Sequence, residues 1–318
     1  MKVLVIQQRM GIGDMVIFLP YIHAISNKLK TKVSLLVKDN SRASDLLEKD
    51  YHIQEIITLN RDSKVHGHHD GFFGFFKLAF DLRKKQFDEV FIFNSSLRYK
   101  LLAKFAGIKK IHQYPLFRKK DNLVISAKNF TENIINERIS TEPMLYPNGS
   151  EVEKIKQNLD PSYRRICIGL SASGPTKRWD VQNYLDLCLA IAKKKKCKFY
   201  LAGGKNDIEL INQFKKTKLW NDCFSFEMLS IKETLPYLKN CNLYIGNDTG
   251  WLHIANALNI KCVALFMDSP VLTYGNYSKN IHCIIPEGET METTVHDTLG
   301  KDKISFEQVL SKTLSLLD

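Results

Sequence analysis

Short apolar runs alternate along the chain with longer segments in which apolar residues recur every three or four positions. The short runs predict buried strands, and the longer segments predict helices with one apolar face. The predicted strands lie at residues 3–6, 33–37, 53–59, 89–93, 110–112, 165–170, 198–201, 243–245, 262–266 and 281–285. Because strands and helices alternate in both halves of the chain, we predict an α/β fold with two parallel, doubly wound sheets.

A cluster of turn-forming residues separates the two halves. Residues 147–150 read Pro-Asn-Gly-Ser, and these residue types favour turns over the interiors of helices and strands. A chain of 318 residues is also long enough for two domains. We therefore predict an N-terminal domain at residues 1–150, with a helix at 126–146 near its end, and a C-terminal domain at residues 151–318.

Residues 244–266, YIGNDTGWLHIANALNIKCVALF, predict a strand, a tight turn, a helix and a second strand. We expect Asp248 or Thr249 to cap the helix. The N–H groups at the start of this helix would attract an anion, and Gly250 has no side chain to keep a phosphate from the backbone. The alternative is an ordinary capped helix that binds no ligand.

Residues 9–14 form a second candidate loop, after a predicted strand, where open α/β sheets bind ligands. The loop reads RMGIGD and keeps only part of the glycine pattern of dinucleotide-binding loops. Asp14 at its end fits two roles, because a carboxylate at a helix start is either a cap or, in a cleft, a general base.

Two more loops follow predicted strands in the second half. Residues 171–179, SASGPTKRW, place Lys177 beside an arginine in a loop with glycine and proline. This pattern favours either a phosphate clamp or a surface pair next to a structural Trp179. Residues 203–207 end in Asp207, which would either accept hydrogen bonds from a ribose or cap a helix.

The charge of the chain is strongly positive, with 46 basic and 34 acidic residues and a net charge of +12. The basic runs are scattered, and no helix-turn-helix, zinc-finger or RNA-binding motif accompanies them. They occur at residues 83–85, 118–120, 193–196 and 215–216. Solvated helix faces explain most of these runs, an anionic membrane surface is an alternative, and no nucleic-acid partner is expected.

The composition is that of a soluble globular protein, with 44% apolar and 25% charged residues. No apolar run reaches the roughly 18 residues of a membrane span, and no signal peptide precedes the first strand. The seven cysteines lie between Cys167 and Cys283, without the spacing of a disulfide framework or a zinc site. We therefore expect a cytoplasmic protein without a metal.

Residues 64–76, KVHGHHDGFFGFF, interrupt the alternation with glycines, histidines and four phenylalanines. Two interpretations remain open for this segment. It is either a mobile segment that meets a lipid-linked or oligosaccharide acceptor at a membrane surface, or a helix whose phenylalanines are buried in the core.

Taken together, the loops resemble those of glycosyltransferase family 9, which contains the lipopolysaccharide heptosyltransferases. The resemblance covers nearly the whole chain, and its most specific segment is GNDTGWLHIANAL. The other matching segments are IQQRMGIGDMVIFLP, LRKKQFDEVFIFNSS, PTKRW and LAGGKND. The resemblance implies a fold of the GT-B type, in which two Rossmann-like domains face a cleft, and an inverting, metal-independent sugar transfer.

The resemblance also implies roles for individual residues. Asp14 matches the proposed general base and Lys177 matches a basic residue near the donor diphosphate, so these two are the expected catalytic residues. The expected donor-binding residues are Ser171, Ser173, Thr176, Lys177, Asp207, Asp248, Thr249, Gly250 and His253. The expected acceptor-binding residues are Arg9, Gly11 and Gly13.

Two residues of the motif carry a further alternative. His253 matches the motif, but a histidine one turn into a packed helix also fits a structural role. After the strand at 262–266 the chain has Met267-Asp268, where similar proteins often have Gly-Pro. The chain therefore departs from the family pattern at the expected sugar end of the donor pocket.

The function that the resemblance implies is heptosyl transfer to a lipopolysaccharide-core or related glycan. The donor would be a nucleotide sugar, expected to be ADP-heptose, bound mainly by the second domain. The acceptor would be lipid-linked or an oligosaccharide, bound by the first domain at the inner face of the cytoplasmic membrane. No cofactor is expected besides these substrates. The main alternative is a non-catalytic nucleotide-sugar or anion-binding protein of the same fold, which would not need Asp14.

Overall fold

The computed structural model describes residues 1–61, 67–116 and 122–317. Within these ranges the chain divides into two compact units, Met1–Pro143 and Met144–Asp318. The turn-forming cluster at residues 147–150 predicts the division at 150/151. The division comes earlier because Leu145 is buried and donates its backbone N–H to the carbonyl of Ala257, in the second unit, at 3.0 Å.

A parallel sheet of five strands forms the centre of the first unit, as far as its residues are described. The strands are β1 (Val3–Gln7), β2 (Val33–Val37), β3 (Ile53–Thr58), β4 (Glu89–Ile92) and β5 (Lys110–Gln113). Their order across the sheet is β3-β2-β1-β4-β5, so the order reverses between β1 and β4. At this point Val5 of β1 lies level with Leu35 of β2 on one side and with Phe91 of β4 on the other.

The helices of the first unit pack in pairs. They are α1 (Ile12–Leu29), α2 (Ala43–Leu46), α3 (Gly71–Lys85), α4 (Leu97–Phe105) and α5 (Leu123–Ile135). α1 packs against α5, and α3 packs against α4. Every residue of β1 is buried, which is the pattern of a parallel strand with both faces covered.

The second unit has a parallel sheet of six strands, counted over the residues that the structure describes. The strands are β6 (Arg164–Gly169), β7 (Cys197–Ala202), β8 (Cys223–Ser225), β9 (Leu243–Asn247), β10 (Lys261–Leu265) and β11 (Ile281–Ile284). Their order is β11-β10-β9-β6-β7-β8, and it reverses between β9 and β6. The carboxyl ends of β9 and β6 therefore form the switch point, where open α/β sheets bind ligands.

The helices of the second unit include one that completes its core at the end of the chain. They are α6 (Gly149–Gln157), α7 (Val181–Ala192), α8 (Ile208–Lys215), α9 (Ile231–Lys239), α10 (Gly250–Ala257), α11 (Val271–Tyr274) and α12 (Phe306–Leu317). α12 packs on α7, β9 and β10, and its Val309 and Leu317 belong to the same apolar core as the strands. The predicted α/β fold with two parallel, doubly wound sheets is confirmed.

The helix predicted at residues 126–146 is shorter than expected. It begins at Leu123, capped by the side chain of Asn122, and ends at Ile135. Asn136 then takes the left-handed conformation, with φ 53°, and its backbone N–H bonds back to Glu132. Asn tolerates this conformation better than most residues, which makes it a common helix terminator.

The segment 64–76 lies partly outside the described residues, which resume at Gly67. Helix α3 begins at Gly71, and of its phenylalanines only Phe75 packs on the core. Phe72 and Phe73 are exposed. The interpretation of a helix with all its phenylalanines in the core is therefore wrong.

The remaining expectations from composition concern membrane spans, basic runs and cysteines. Among the described helices, none combines the length and the apolar character needed to cross a bilayer. The basic run at residues 118–120 lies outside the described part of the chain. The seven cysteines are all described and all free, in agreement with the absence of a disulfide pattern.

Candidate functional site

Asn247 is the last residue of β9, at the switch point of the second sheet. Its side chain is fully buried. Its Oδ1 accepts hydrogen bonds from the backbone N–H of Trp179 at 3.1 Å and from the hydroxyl of Tyr184 at 2.9 Å. Its Nδ2 donates to the backbone carbonyls of residues 169–171, at 3.0 to 3.4 Å. Asn247 thereby fixes both ends of the loop between β6 and α7 to the sheet.

The two strands at the switch point approach each other closely. A Cβ at Gly246 would lie 2.8 Å from the Cα of Gly169 and 2.5 Å from the hydroxyl of Tyr244. Tyr244 fills the space that side chains would take at both glycines, and its own hydroxyl is fully buried. Burial raises the pKa of Tyr244 well above its ordinary value, so the phenol stays neutral.

Trp179 ends the loop between β6 and α7 inside the core. Its side chain is buried, and its ring packs edge to face against the ring of Tyr184, with the two centroids 5.1 Å apart. The prediction that Trp179 is structural is confirmed. The polar residues that precede it, by contrast, remain at least partly accessible at the carboxyl edge of the sheet.

Asp207 joins the loops that follow β6 and β7. Its Oδ2 accepts hydrogen bonds from the hydroxyl of Ser171 at 2.7 Å and from the backbone N–H of Gly204 at 2.9 Å. The bond from Gly204 caps the 3₁₀ turn Lys205–Asp207, in partial agreement with the alternative of a helix cap, while the side chain does not cap α8, the helix that follows. Asp207 therefore positions Ser171, and its contact with a donor remains a prediction.

Asp268 joins the loops that follow β6 and β10. Its Oδ2 accepts a hydrogen bond from the hydroxyl of Thr176 at 2.7 Å, and its Oδ1 accepts one from the backbone N–H of Leu299 at 3.3 Å. Burial raises the pKa of Asp268, but the hydrogen bond from Thr176, further bonds from backbone N–H groups and the positive charge of Lys177 lower it by more. The carboxylate thus stays ionised beside Lys177.

The turn before α10 carries Asp248 and Thr249. Thr249 occupies the N-cap position of α10, but its side chain makes no capping hydrogen bond, contrary to the expected cap. The carboxylate of Asp248 contacts a buried histidine, since its Oδ1 lies 3.4 Å from Nε2 of His253. Nδ1 of His253 lies 2.7 Å from the hydroxyl of Tyr277. His253 is 2% exposed, so it positions Asp248 through a buried network.

The structure therefore brings most of the expected donor residues to one edge of the second sheet. They are Ser171, Thr176, Lys177, Asp207, Asp248, Thr249, Gly250 and His253. Ser173 lies in the same loop with its side chain exposed. Lys177 ends a short 3₁₀ turn, Pro175–Lys177, that brings its backbone N–H to the carbonyl of Gly174.

The carboxyl edge of the first sheet carries Asp14. Gly11 is the N-cap of α1, with φ 95°, a conformation that favours glycine, and Gly13 lies in the first turn of the helix. Asp14 lies in the same turn, and Gly11 rather than Asp14 occupies the N-cap position, so the assignment of Asp14 as general base stays a prediction. Its Oδ2 lies 3.0 Å from Nε of Arg9. The backbone carbonyl of Asp14 accepts from the amide of Gln7 at 3.4 Å.

A pocket opens at the same edge of the first sheet. Its volume is about 420 Å³, which is large enough for a sugar-sized ligand. It is lined by Met10, Lys38, Asp39, Asn40, Thr58, Leu59, Asn60 and Arg61. These residues come from the loops after β1, β2 and β3, so the pocket adjoins the loop that contains Arg9 and Gly11.

Two positioning residues were not predicted from the sequence. Asn247 falls in the tight turn predicted within residues 244–266 and has no predicted role of its own, although it holds the loop between β6 and α7. Asp268 was recognised as a departure from the family pattern, without its bond to Thr176. The signal that was available for Asn247 is its place, as a polar residue that directly follows an apolar strand.

The sequence of the second unit decides the family. Residues 142–302, about half of the chain, match the model of glycosyltransferase family 9 (heptosyltransferase). The chain belongs to glycosyltransferase family 9. The predicted family is thus confirmed, and so is the prediction that the protein is a glycosyltransferase.

Individual relatives of this transferase agree with the assignment. It is 24% identical to lipooligosaccharide heptosyltransferase 2 of Campylobacter jejuni over 267 residues, which cover 80% of this chain and 78% of the relative. The E. coli ADP-heptose lipopolysaccharide heptosyltransferase II has a TM-score of 0.75 at 20% identity and covers 100% of this chain and 98% of its own. E. coli heptosyltransferase WaaC, solved with ADP, has a TM-score of 0.74 at 13% identity, and the match covers 99% of this chain and 100% of WaaC. The predicted GT-B fold is confirmed.

A separate cluster in the first unit of the transferase has the side chains of a metal site. His23, Asp50 and His52 are buried with their ligand atoms within 4.8 Å of one another, the one such group in the described ranges. The two carboxylate oxygens of Asp50 lie 2.7 Å from Nε2 of His23 and 3.0 Å from Nδ1 of His52. The two rings stack 4.1 Å apart. These direct contacts account for the cluster as a polar link between α1 and the start of β3.

Replacing Asn247 by Leu is expected to destabilise the transferase. The change leaves the backbone N–H of Trp179 and the hydroxyl of Tyr184 without their acceptor, and each buried group that loses its partner costs about 1–3 kcal/mol. Thermal unfolding measures the effect, and Asn221→Leu, at an exposed position, is the control. An Asn247→Leu protein as stable as its parent would show that these bonds do not hold the loop.

Acidification is expected to destabilise the first unit through His52. Burial lowers the pKa of His52, and the hydrogen bond and charge of Asp50 oppose this only in part. The unfolded chain takes up a proton near pH 6.5 and the folded chain does not, so stability falls below about pH 6.5, by at most about 1.4 kcal/mol per pH unit.

The melting temperature measured from pH 7 to pH 5 tests this expectation. It should fall less in His52→Gln than in the parent or in His296→Gln, a control at an exposed position. Equal slopes in all three proteins would contradict it.

The same measurement with EDTA should give no change in melting temperature at pH 7, since hydrogen bonds hold the cluster of His23, Asp50 and His52. A drop in melting temperature on chelation would instead show a bound metal.

Proposed function

We propose that this protein transfers heptose from ADP-heptose to an acceptor of the lipopolysaccharide core, with inversion and without a metal. Its family description and its Campylobacter relative support a heptosyltransferase, and the E. coli relative solved with ADP supports the nucleotide. The observation that carries the proposal is the second-sheet edge, where Lys177, Asp248 and the start of α10 lie on loops fixed by Asn247.

The diphosphate of the donor is expected at the start of α10. The N-cap residue Thr249 makes no side-chain hydrogen bond to this helix, so the first N–H groups and the helix dipole suit an anion, and Gly250 lets the phosphate approach. Lys177 adds a positive charge. Nε of Arg178 is buried without a hydrogen-bond partner among the described residues, and it is a second candidate donor to phosphate.

The rest of the donor is assigned by the chemistry of the neighbouring loops. Ser171, Ser173 and Asp207 carry oxygens that suit the hydroxyls of a ribose. Asp248, which His253 holds in place, suits a hydroxyl of the transferred sugar. Thr176 contributes through Asp268, its hydrogen-bond partner at 2.7 Å.

The acceptor is assigned to the pocket of the first unit. Its lining combines the basic side chains of Lys38 and Arg61 with the carboxylate of Asp39 and with amide and hydroxyl groups, a mixture of donors and acceptors that suits the hydroxyls of an oligosaccharide. Arg9, Gly11 and Gly13 form the loop beside it. A soluble or a lipid-linked acceptor would present its sugar to the same groups.

The proposed reaction has Asp14 as general base. The carboxylate takes the proton from the acceptor hydroxyl, whose oxygen attacks the anomeric carbon of the donor. The bond from that carbon to the diphosphate breaks, and the electron pair leaves with the diphosphate. Lys177 and the N–H groups of α10 stabilise the departing charge electrostatically.

We assign this reaction to the cytoplasm, at the inner face of the cytoplasmic membrane. The net charge of +12 favours attraction to anionic lipid. A nucleic-acid partner is not part of the proposal. Retention of the protein by random duplex DNA at physiological salt would contradict that part.

Asp14→Asn is expected to abolish transfer and to spare donor binding. Only the proton-accepting ability is lost, and general-base catalysis is worth about 10²–10⁴-fold. Stability should change little, because the amide of Asn still accepts hydrogen bonds at the start of the helix and the ion pair that is lost involves the half-exposed Arg9, where solvent screens the charge. Transfer rate, ADP affinity and melting temperature are measured on the same protein.

Glu151→Gln is the matched control for Asp14→Asn, since it removes a carboxylate from the first turn of α6. It should leave all three quantities unchanged. Near-normal turnover of Asp14→Asn would leave the base unassigned. Donor binding without any transfer by the parent protein would favour the alternative of a non-catalytic binder.

Lys177→Ala is expected to weaken the binding of ADP more than that of adenosine. Losing a charge-assisted contact to phosphate costs about 1.5–3 kcal/mol, and the nucleoside lacks that contact. Calorimetric titration with both ligands measures the difference. Lys193→Ala, at the far end of α7, controls for the loss of one positive charge. Equal losses for ADP and adenosine would mean that Lys177 only supports its loop.

A further inference from the structure

Four phenylalanines of α3 and one of α4 lie on the surface of the first unit. We call them the aromatic face: Phe72, Phe73, Phe76, Phe80 and Phe105. Phe73 is 87% exposed and Phe72 is 72% exposed. Large side chains with this exposure are uncommon in such number, and a contiguous exposed apolar surface marks an interaction site.

The aromatic face is contiguous and crosses from α3 to α4. The ring of Phe76 lies 4.8 Å from that of Phe72 and 5.2 Å from that of Phe105, centroid to centroid. At about 100° per residue, the four phenylalanines of α3 fall within about 100° of the helix circumference. The opposite side of α3, which includes Leu78 and Leu82, is buried in the core.

Positive charge surrounds the same face. Arg83, Lys84 and Lys77 fall within or beside the arc of the phenylalanines, at about 100° per residue. Nζ of Lys84 lies 4.5 Å from the ring centre of Phe80. Together α3 and α4 contain seven basic residues and one acidic residue. Lys85 falls outside the arc and pairs with Glu55, and Lys84 lies 3.7 Å from Asp81, so Lys77, Arg83 and Lys84 form the basic rim of the aromatic face.

The position of α3 relates this face to the proposed acceptor pocket. β3 ends at Thr58, and α3 leads from there to β4, so the first turn of α3, with Phe72 and Phe73, starts from the carboxyl edge of the first sheet. Asp14 follows β1 at the same edge. A surface that receives the aromatic face would therefore lie beside the edge at which the acceptor is proposed to bind.

We propose that the aromatic face docks on a bilayer that contains anionic phospholipid. The phenylalanines enter the head-group and acyl-chain boundary, and the basic rim contacts lipid phosphates. A second copy of this chain fits less well, because five of the seven basic residues are lysines, which protein interfaces avoid. The inference deepens the proposed function by giving its lipid-linked acceptor a docking surface on the enzyme.

Co-sedimentation of the full chain with vesicles tests the proposal. The vesicles contain either phosphatidylcholine alone or phosphatidylcholine with phosphatidylglycerol. The parent should bind the anionic vesicles and lose affinity as salt is added. Phe72→Ser with Phe73→Ser should reduce binding by about tenfold or more, since each buried ring contributes strongly to partitioning. No binding of the parent to anionic vesicles at low salt would overturn the proposal.

Matched variants separate the two contributions. Lys77→Gln with Lys84→Gln should weaken binding to anionic vesicles, and Lys193→Gln with Lys194→Gln, which removes the same charge from the second unit, should not. Met228→Ser removes a 74% exposed apolar side chain elsewhere and should have no effect. Equal losses in the two lysine pairs would mean that net charge, and not this face, attracts the lipid.

Two further measurements keep the test independent of folding and of transfer. Circular dichroism and melting temperature confirm that the phenylalanine variant is folded, as its exposed positions predict. Sedimentation velocity without lipid should give one species for parent and variant. A parent dimer that the variant dissociates, without a change in vesicle binding, would assign the face to a second copy. Vesicle binding needs neither donor nor acceptor, so its outcome does not depend on the proposed transfer.

Discussion

A single buried amide holds the carboxyl edge of the second sheet together. Asn247 accepts two hydrogen bonds through Oδ1 and donates through Nδ2 to the backbone of the facing loop. An amide is the side chain that offers acceptors and donors in one plane, so neither an acid nor an apolar residue of similar size satisfies all of these partners. A buried polar group stabilises when it is fully paired and destabilises when it is not. The positions of Thr176 and Lys177 thus depend on a residue that has no expected contact with the donor.

The sequence predicted the strands well because their apolar runs are local signals, and it predicted the loops at strand ends for the same reason. It could not predict Asn247 or Asp268, because their partners are distant in the chain. Asn247 bonds to residues 63 and 68 positions away, and Asp268 bonds to Thr176, 92 positions away. Asp14 was expected at the start of the first helix, but only the structure shows that the helix begins two residues earlier, at Ile12, with Gly11 at the N-cap position.

The phenylalanines of α3 show a different limit of sequence analysis. Apolar periodicity identifies a buried face only when the other face is polar, and α3 has large apolar residues on both faces. Phe75 packs on the core beside Phe105 while Phe73 points to solvent. The amino-acid composition of α3 is the same whether its phenylalanines are buried in the core or exposed to solvent. The decision depends on which side of α3 meets the sheet and α4, a tertiary contact that no local pattern contains.

The side chain of Tyr244 occupies space beside two glycines, Gly169 and Gly246. The ring occupies the space in which a Cβ of Gly169 or Gly246 would stand, so the three positions cannot enlarge independently. A lineage or a directed-evolution library that explores a larger residue at Gly169 must first reduce the side chain at position 244. At Gly246 this order does not help, because a Cβ there would still lie 2.8 Å from the backbone of Gly169, so the close approach of the two strands keeps that position a glycine.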